Sequence, residues 1–175
     1  MTALCVTSNY AMIGIPNVKF MDLFVFVSGY SLGSLAGILV GCFTWFVYGT
    51  LNPYGFSLPI LMATSLGEAV YGLAGGLSNR FGIRVPDLSS VGEGKYWICN
   101  IKIALLGFLL TFFYDLFTNI VSAITVGLPI PVALINGIPF AVLHEGSNVA
   151  FFFFGGAVMI NAIRRIPMKI GERNG

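Results

Sequence analysis

Apolar residues run along this chain in long blocks, separated by short polar breaks. The first block, 1–16, ends at Pro16-Asn17-Val18-Lys19. The second, 21–49, holds a single charge, Asp22, at its start and closes on Thr50-Leu51-Asn52-Pro53-Tyr54-Gly55, where Asn-Pro and a nearby Gly make a strong turn signal. A third block spans 58–77, and a polar connection over 78–96 then carries Arg80, Arg84, Asp87, Glu93 and Lys95. Two further blocks, 97–125 and 132–163, flank the tight apolar turn Gly127-Leu128-Pro129-Ile130-Pro131, and a basic tail follows with Arg164, Arg165, Lys169 and Arg173. About 20 apolar residues make one helical crossing of a bilayer. The pattern therefore predicts an all-α polytopic membrane protein of five or six spans, a single domain over 1–175 with no room for a separate soluble domain.

Two blocks fit that rule poorly. Roughly 14 helical residues in the first would cover about 21 Å of a hydrocarbon core about 30 Å thick, so this helix is expected to be short or to have lost its beginning. It has no basic leader region of the kind a secretory signal needs. The second block would reach about 43 Å as one helix, which predicts either strong tilt or two abbreviated helices meeting near Gly33. Gly29, Gly33, Gly37 and Gly41 recur every fourth residue; on one helix face they would admit a close-packed neighbour.

Composition agrees with the pattern: 57% of the 175 residues are hydrophobic and 9% charged, against about 25% charged in soluble domains. Nine Lys and Arg oppose seven Asp and Glu, so net charge says little, and nothing supports nucleic-acid binding. The placement of the basic residues is more telling. Seven of the nine lie in the 78–96 connection and the C-terminal tail, which the positive-inside rule assigns to the cytoplasm. The expected location is the cell membrane, multi-pass, with the C-terminus cytoplasmic and the Asn52-Pro53 and Pro129 turns facing outward. Cys5, Cys42 and Cys99 are odd in number and scattered through apolar sequence, which suggests small core residues rather than disulfides or a metal site.

Ionisable residues inside spans are costly and usually face the bundle interior. Glu68, Asp115, His144 and Glu145 stand roughly 15 to 20 Å from the outward ends of their helices, so three helices offer polar groups at one level. Residues three or four apart share a helix face; this groups Thr64, Glu68 and Tyr71, then Asp115 and Asn119 with Tyr114 beside them, then His144 or Glu145 with Asn148. Together they suggest a ligand cavity open to the outside. Trp45, Tyr48 and Tyr54 read either as interfacial anchors or as the floor of such a cavity. Phe151 to Phe154 covers every helix face and suggests core and lipid contact. His144-Glu145 lacks the second His of a zinc-protease helix, Asn148 standing at that position. Ser147 has no nucleophile elbow, and no phosphate-binding loop of the Gly-Lys-Ser/Thr kind occurs. The reading is of a protein without catalytic residues, metal or cofactor, so any energy for transport comes from elsewhere.

Tyr114-Asp115-Leu116-Phe117-Thr118-Asn119, then Pro139-Phe140-Ala141-Val142-Leu143-His144-Glu145 with Asn148, and Asp22-Leu23-Phe24-Val25-Phe26 give the chain a family likeness. From about Pro16 onward it resembles the substrate-binding S components of energy-coupling factor transporters, a type of ABC importer. The resemblance implies six helices with both termini cytoplasmic, capture of a vitamin, its precursor or another small-molecule micronutrient from outside, and partnership with a transmembrane coupling protein and two ATP-hydrolysing subunits. It also implies that 21–49 divides in two, with Lys19 and Asp22 outside near the ligand entrance. The family's first helix commonly carries small residues spaced by four for docking on the coupling protein; here only Ala3, Thr7 and Ala11 stand at that spacing.

The site expected on these grounds has Glu68, Tyr71, Tyr114, Asp115, Asn119, His144, Glu145 and Asn148 lining or bracing the pocket. Asn17, Lys19, Asp22, Asn52 and Tyr54 would lie near its mouth. The competing readings are an autonomous ion-coupled carrier whose buried carboxylates bind protons or sodium, a structural membrane subunit, and an intramembrane enzyme using Glu145 or Asp115 with His144.

Overall fold

A computed structural model describes residues 1–53 and 55–166. Within them the chain is helical and contains no strand: α1 (Thr2–Ala11), α2 (Met21–Leu32), α3 (Ser34–Leu51), α4 (Leu58–Arg80), α5 (Gly94–Val126) and α6 (Ile130–Arg164), with one 3-10 turn at Leu88–Ser90. Four of these, α3 to α6, are long and apolar enough to cross a membrane, as a multi-pass membrane protein requires. Helices suit that setting because they satisfy their own backbone hydrogen bonds where no water is present. Burial is inverted relative to a soluble fold. Phe46, Phe113, Val142 and Phe154 lie on the outer surface, whereas Asp22, Glu68, Asp115, His144 and Asn148 are buried. Such an outer face is favourable against lipid and costly against water.

The 21–49 block is two helices. Gly33, with φ at +100°, occupies a backbone region that only glycine adopts without strain, and the chain reverses there in a single residue. The four-residue glycine repeat therefore does not line one face; its members fall on two helices folded against each other and against α4. A Cβ on Gly37 would stand 2.6 Å from the Cα of Gly29 and 2.7 Å from that of Gly72. Three backbones thus meet at a seam that any side chain would wedge apart. The repeat serves internal packing, and α2, wrapped by its neighbours, has ten of its twelve residues buried.

α5 and α6 form the expected hairpin. Gly127 ends α5 in the left-handed conformation, and antiparallel packing sets Phe152 against Gly107, Asn148 against Thr111 and His144 against Asp115. Phe20, just before α2, stacks on Phe151 of α6 with ring centroids 3.9 Å apart. That contact carries the start of α2 down to the middle of α6. Of the phenylalanine run, Phe151 and Phe152 pack inward and Phe154 outward.

The 81–93 connection is tied down rather than free. The Tyr30 hydroxyl donates to the Ile83 carbonyl at 2.7 Å and accepts from the Val85 N–H at 3.1 Å and from Arg164 at 3.3 Å. Arg164 also donates to the Val85 carbonyl, and Asn161 to that of Pro86. These bonds join the loop to the ends of α2 and α6 and close the bundle there. In the same loop the Ser89 backbone N–H donates to the Asp87 carboxylate and holds it below the usual carboxylate range. Lys169 and Arg173 of the basic tail lie outside the described residues.

Candidate functional site

At the opposite end, where the Asn52 and Gly127 turns lie, a cavity of about 740 Å³ opens between the helices. This falls within the ~300–1,000 Å³ of small-molecule sites. Its lining is assembled from six places, one of them the 55–57 connection between α3 and α4. Asn9 of α1 and most of the 12–19 segment form one wall, and Trp45, Tyr48 and Asn52 at the end of α3 form another. Ile60, Leu61 and Thr64 come from the start of α4, Tyr114, Asp115, Thr118, Asn119 and Ser122 from α5, and Gly137 and Phe140 from α6. A second, almost wholly apolar crevice between α4 and α5 is bordered by Leu66 and Phe113 on the outer surface.

Beneath the cavity lies a connected polar network. His144 places Nδ1 2.9 Å from Asp115 Oδ1 and Nε2 2.7 Å from Asp22 Oδ2. Asn148 donates to the same Asp22 oxygen at 2.6 Å and to the Thr111 hydroxyl at 2.8 Å. Thr111 accepts a second bond, from the Tyr71 hydroxyl at 2.8 Å, and donates to the Gly107 carbonyl. Four helices, α2, α4, α5 and α6, are thereby joined through residues that are at most 5% exposed. A carboxylate only accepts and an imidazole nitrogen donates only when protonated. Both His144 bonds are satisfied only if each nitrogen, or the carboxyl opposite it, carries a proton. The two carboxylates occupy opposite edges of the ring and do not converge on one point. Among the described residues no cluster of three or more His, Cys, Asp and Glu side chains is placed to hold a metal ion.

Asp115 connects network and cavity. One of its oxygens is held by His144, the residue lines the cavity, and its Oδ2 is buried with no hydrogen-bond partner. Tyr114 is set beside it by ring packing onto Gly67 and an edge contact with His144 at 5.8 Å between centroids. Glu68 is fully buried below Trp45, whose indole N–H donates to it at 3.4 Å. The Lys19 ammonium stands 5.1 Å from the centre of the Trp45 ring, a cation–π contact at the cavity wall.

Most of the residues singled out from the sequence meet here, in two tiers. Asn17, Lys19, Asn52, Tyr114, Asp115 and Asn119 line the cavity, whereas Glu68, Tyr71, His144 and Asn148 brace it from below. Asn17, at φ +57°, also donates to the Phe140 carbonyl and ties the 12–19 segment to α6. Trp45 and Tyr48 are cavity walls, buried rather than interfacial.

Two expectations are corrected. Asp22 is not at the mouth; it is 2% exposed within the network, because the Phe20–Phe151 stack starts α2 deep in the bundle. Glu145 belongs to neither tier. One helical residue is a turn of 100°, so with His144 facing inward Glu145 is only half-buried on an adjoining face, away from the cavity. Tyr54 lies outside the described residues. Sequence reasoning missed Thr111 and Asn9. Thr111 was findable, four residues before Asp115 and so on the same face, whereas Asn9 gave no signal because its helix was too short to place.

Comparison of the chain with protein-family profiles, with curated proteins and with solved structures returned no match.

Proposed function

We propose that this chain is the membrane-embedded substrate-binding subunit of an energy-coupling factor type importer, capturing a vitamin, a vitamin precursor or another micronutrient for ATP-driven uptake by partner subunits. The observation that carries the reading is the cavity of about 740 Å³ at the turn end, floored by the Asp22–His144–Asp115–Asn148 network. Three further features support it. The bundle is closed at its other end by the Tyr30 and Arg164 bonds, as suits a binder that holds its ligand rather than a channel. The positive-inside rule puts the cavity on the outer side of a cell membrane, with the C-terminus cytoplasmic. The sequence carries no nucleotide-binding loop, so ATP hydrolysis falls to two ATPase subunits acting through a transmembrane coupling protein. In this reading α1 to α6 are the six helices of the S-component bundle, both termini are cytoplasmic, and the chain itself catalyses no reaction.

Native mass spectrometry of the gently purified protein tests capture directly. A small molecule retained at one per chain is expected, and a ligand-free protein that no micronutrient stabilises would refute the reading. Uptake in proteoliposomes should require the coupling protein, the ATPases and ATP.

One observation favours a second reading. His144, bracketed by Asp22 and Asp115 midway along α6, is an arrangement able to hand on a proton. Uptake by this chain alone, driven by a pH or sodium gradient, would establish an autonomous ion-coupled carrier instead.

A further inference from the structure

Two residues of the cavity lining each carry a buried side-chain acceptor that no donor reaches. Asp115 Oδ2 and Asn9 Oδ1 both belong to lining residues, both are buried, and neither has a hydrogen-bond partner. The orientation of the Asn9 amide is set by its neighbour: Nδ2 faces the Met21 sulfur at 2.6 Å, and a thioether accepts but cannot donate, so the oxygen is left over. Buried acceptors without donors are costly, and a ligand that brings N–H groups removes that cost. Aromatic faces border the same space through Trp45, Tyr48 and Tyr114. Among the described lining residues the only formal charges are Lys19 and Asp115, which cancel.

We propose that the cavity selects a flat nitrogen heterocycle presenting an unsubstituted exocyclic amino group to Asp115, and carrying no net negative charge. The assignment rests on the capture reading and names its ligand class. His144, fixed by Asp22, acts as a positioning residue that holds the other Asp115 oxygen and so aims the free one. At the Asp115 end an anionic ring acid would set its carboxylate against an acceptor that is already unpaired, and that end of the cavity would reject it.

The test is a thermal-shift titration of the purified protein with three probes at millimolar concentration: 4-aminopyrimidine, 4-(dimethylamino)pyrimidine and pyridine-3-carboxylate. The first is expected to raise Tm. The second, whose amino donors are capped by methyl groups, and the third are expected to leave Tm unchanged. Asp115→Asn keeps an oxygen for a doubly protonated His144 but offers an NH2 to the ligand; it should weaken the aminopyrimidine response at least fivefold. Asn9→Leu serves as an independent variant should the first fold poorly, and a smaller loss is expected from it. Stabilisation by pyridine-3-carboxylate alone, or equal responses to the amino and dimethylamino probes, would overturn the ligand class while leaving capture standing. No response to any probe also overturns the class, and the co-purified small molecule separately decides whether capture falls with it.

Discussion

Replacing Thr111 by Val probes the network at a point that does not touch the cavity. The side chain keeps its volume and loses its hydroxyl, which accepts from Tyr71 of α4 and Asn148 of α6, each at 2.8 Å. Thr111 and Asn148 are fully buried, so the two abandoned donors find no water. Interhelical hydrogen bonds within membranes average about 0.6 kcal/mol and reach about 1.7; two of them put the loss at about 1–3 kcal/mol. The intrahelical bond to the Gly107 carbonyl adds little, because that carbonyl keeps its backbone partner. The assay is equilibrium unfolding in mixed micelles for wild type, Thr111→Val, Tyr71→Phe and the double variant. If Tyr71 donates to Thr111, the cycle gives a coupling of about 0.6–1.7 kcal/mol. Additivity within about 0.3 kcal/mol, or a Thr111→Val protein as stable as wild type, would show that the two helices are not joined at this point. Ligand affinity in Thr111→Val should fall less than in Asp115→Asn, since Thr111 acts only through Asn148 and Asp22.

Gly37→Ala should destabilise the bundle, because about 1–3 kcal/mol of overpacking against two backbones exceeds the roughly 0.5–1 kcal/mol gained by replacing a helical glycine; Gly146→Ala, with open space around its Cβ, should be neutral or slightly stabilising in the same unfolding assay. Glu145→Gln should leave the affinity for the co-purified ligand within about twofold, whereas Asp22→Asn, which replaces an oxygen shared by His144 and Asn148, should lower it about tenfold or more by releasing His144 and hence Asp115; equal effects of the two would dismantle the two-tier site. Tyr30→Phe removes bonds to Ile83, Val85 and Arg164 together, and limited proteolysis should then cut the 81–93 connection faster, with ligand affinity unchanged.

The last three spans, the C-terminal hairpin and the polar connection were legible in the sequence because each depends on a property local to a segment, apolar length, turn chemistry or a cluster of charges, whereas only four helices, fewer than the five or six expected, are long and apolar enough to cross. The candidate site was legible in part for the same reason. Glu68, Asp115 and His144 are conspicuous in apolar surroundings, and counting from the helix ends places them at one depth. Helical spacing even grouped Asn148 with His144 and Tyr71 with Glu68. It could not decide between His144 and Glu145, which differ by one residue and hence by 100° of rotation. Only packing against α2 and α5 turns the first inward and leaves the second on an adjoining face.

Other features exist only in three dimensions. The glycine repeat predicted one smooth face, yet Gly33 at positive φ divides it between two helices, and the repeat becomes a seam because α4 brings Gly72 to the same place. Asp22 stands at the head of its block in the sequence and at the heart of the network in the fold, since a ring stack far along the chain sets where α2 begins. The sequence by itself determined that the chain is helical and that the blocks 58–77, 97–125 and 132–163 can cross a membrane, because hydrophobicity and turn chemistry are carried residue by residue. Which polar groups meet, and which oxygen of Asp115 is left unpaired, was decided by tertiary structure alone, because those outcomes depend on helix rotation and depth, quantities fixed by contacts between different helices, some of them more than 100 residues apart.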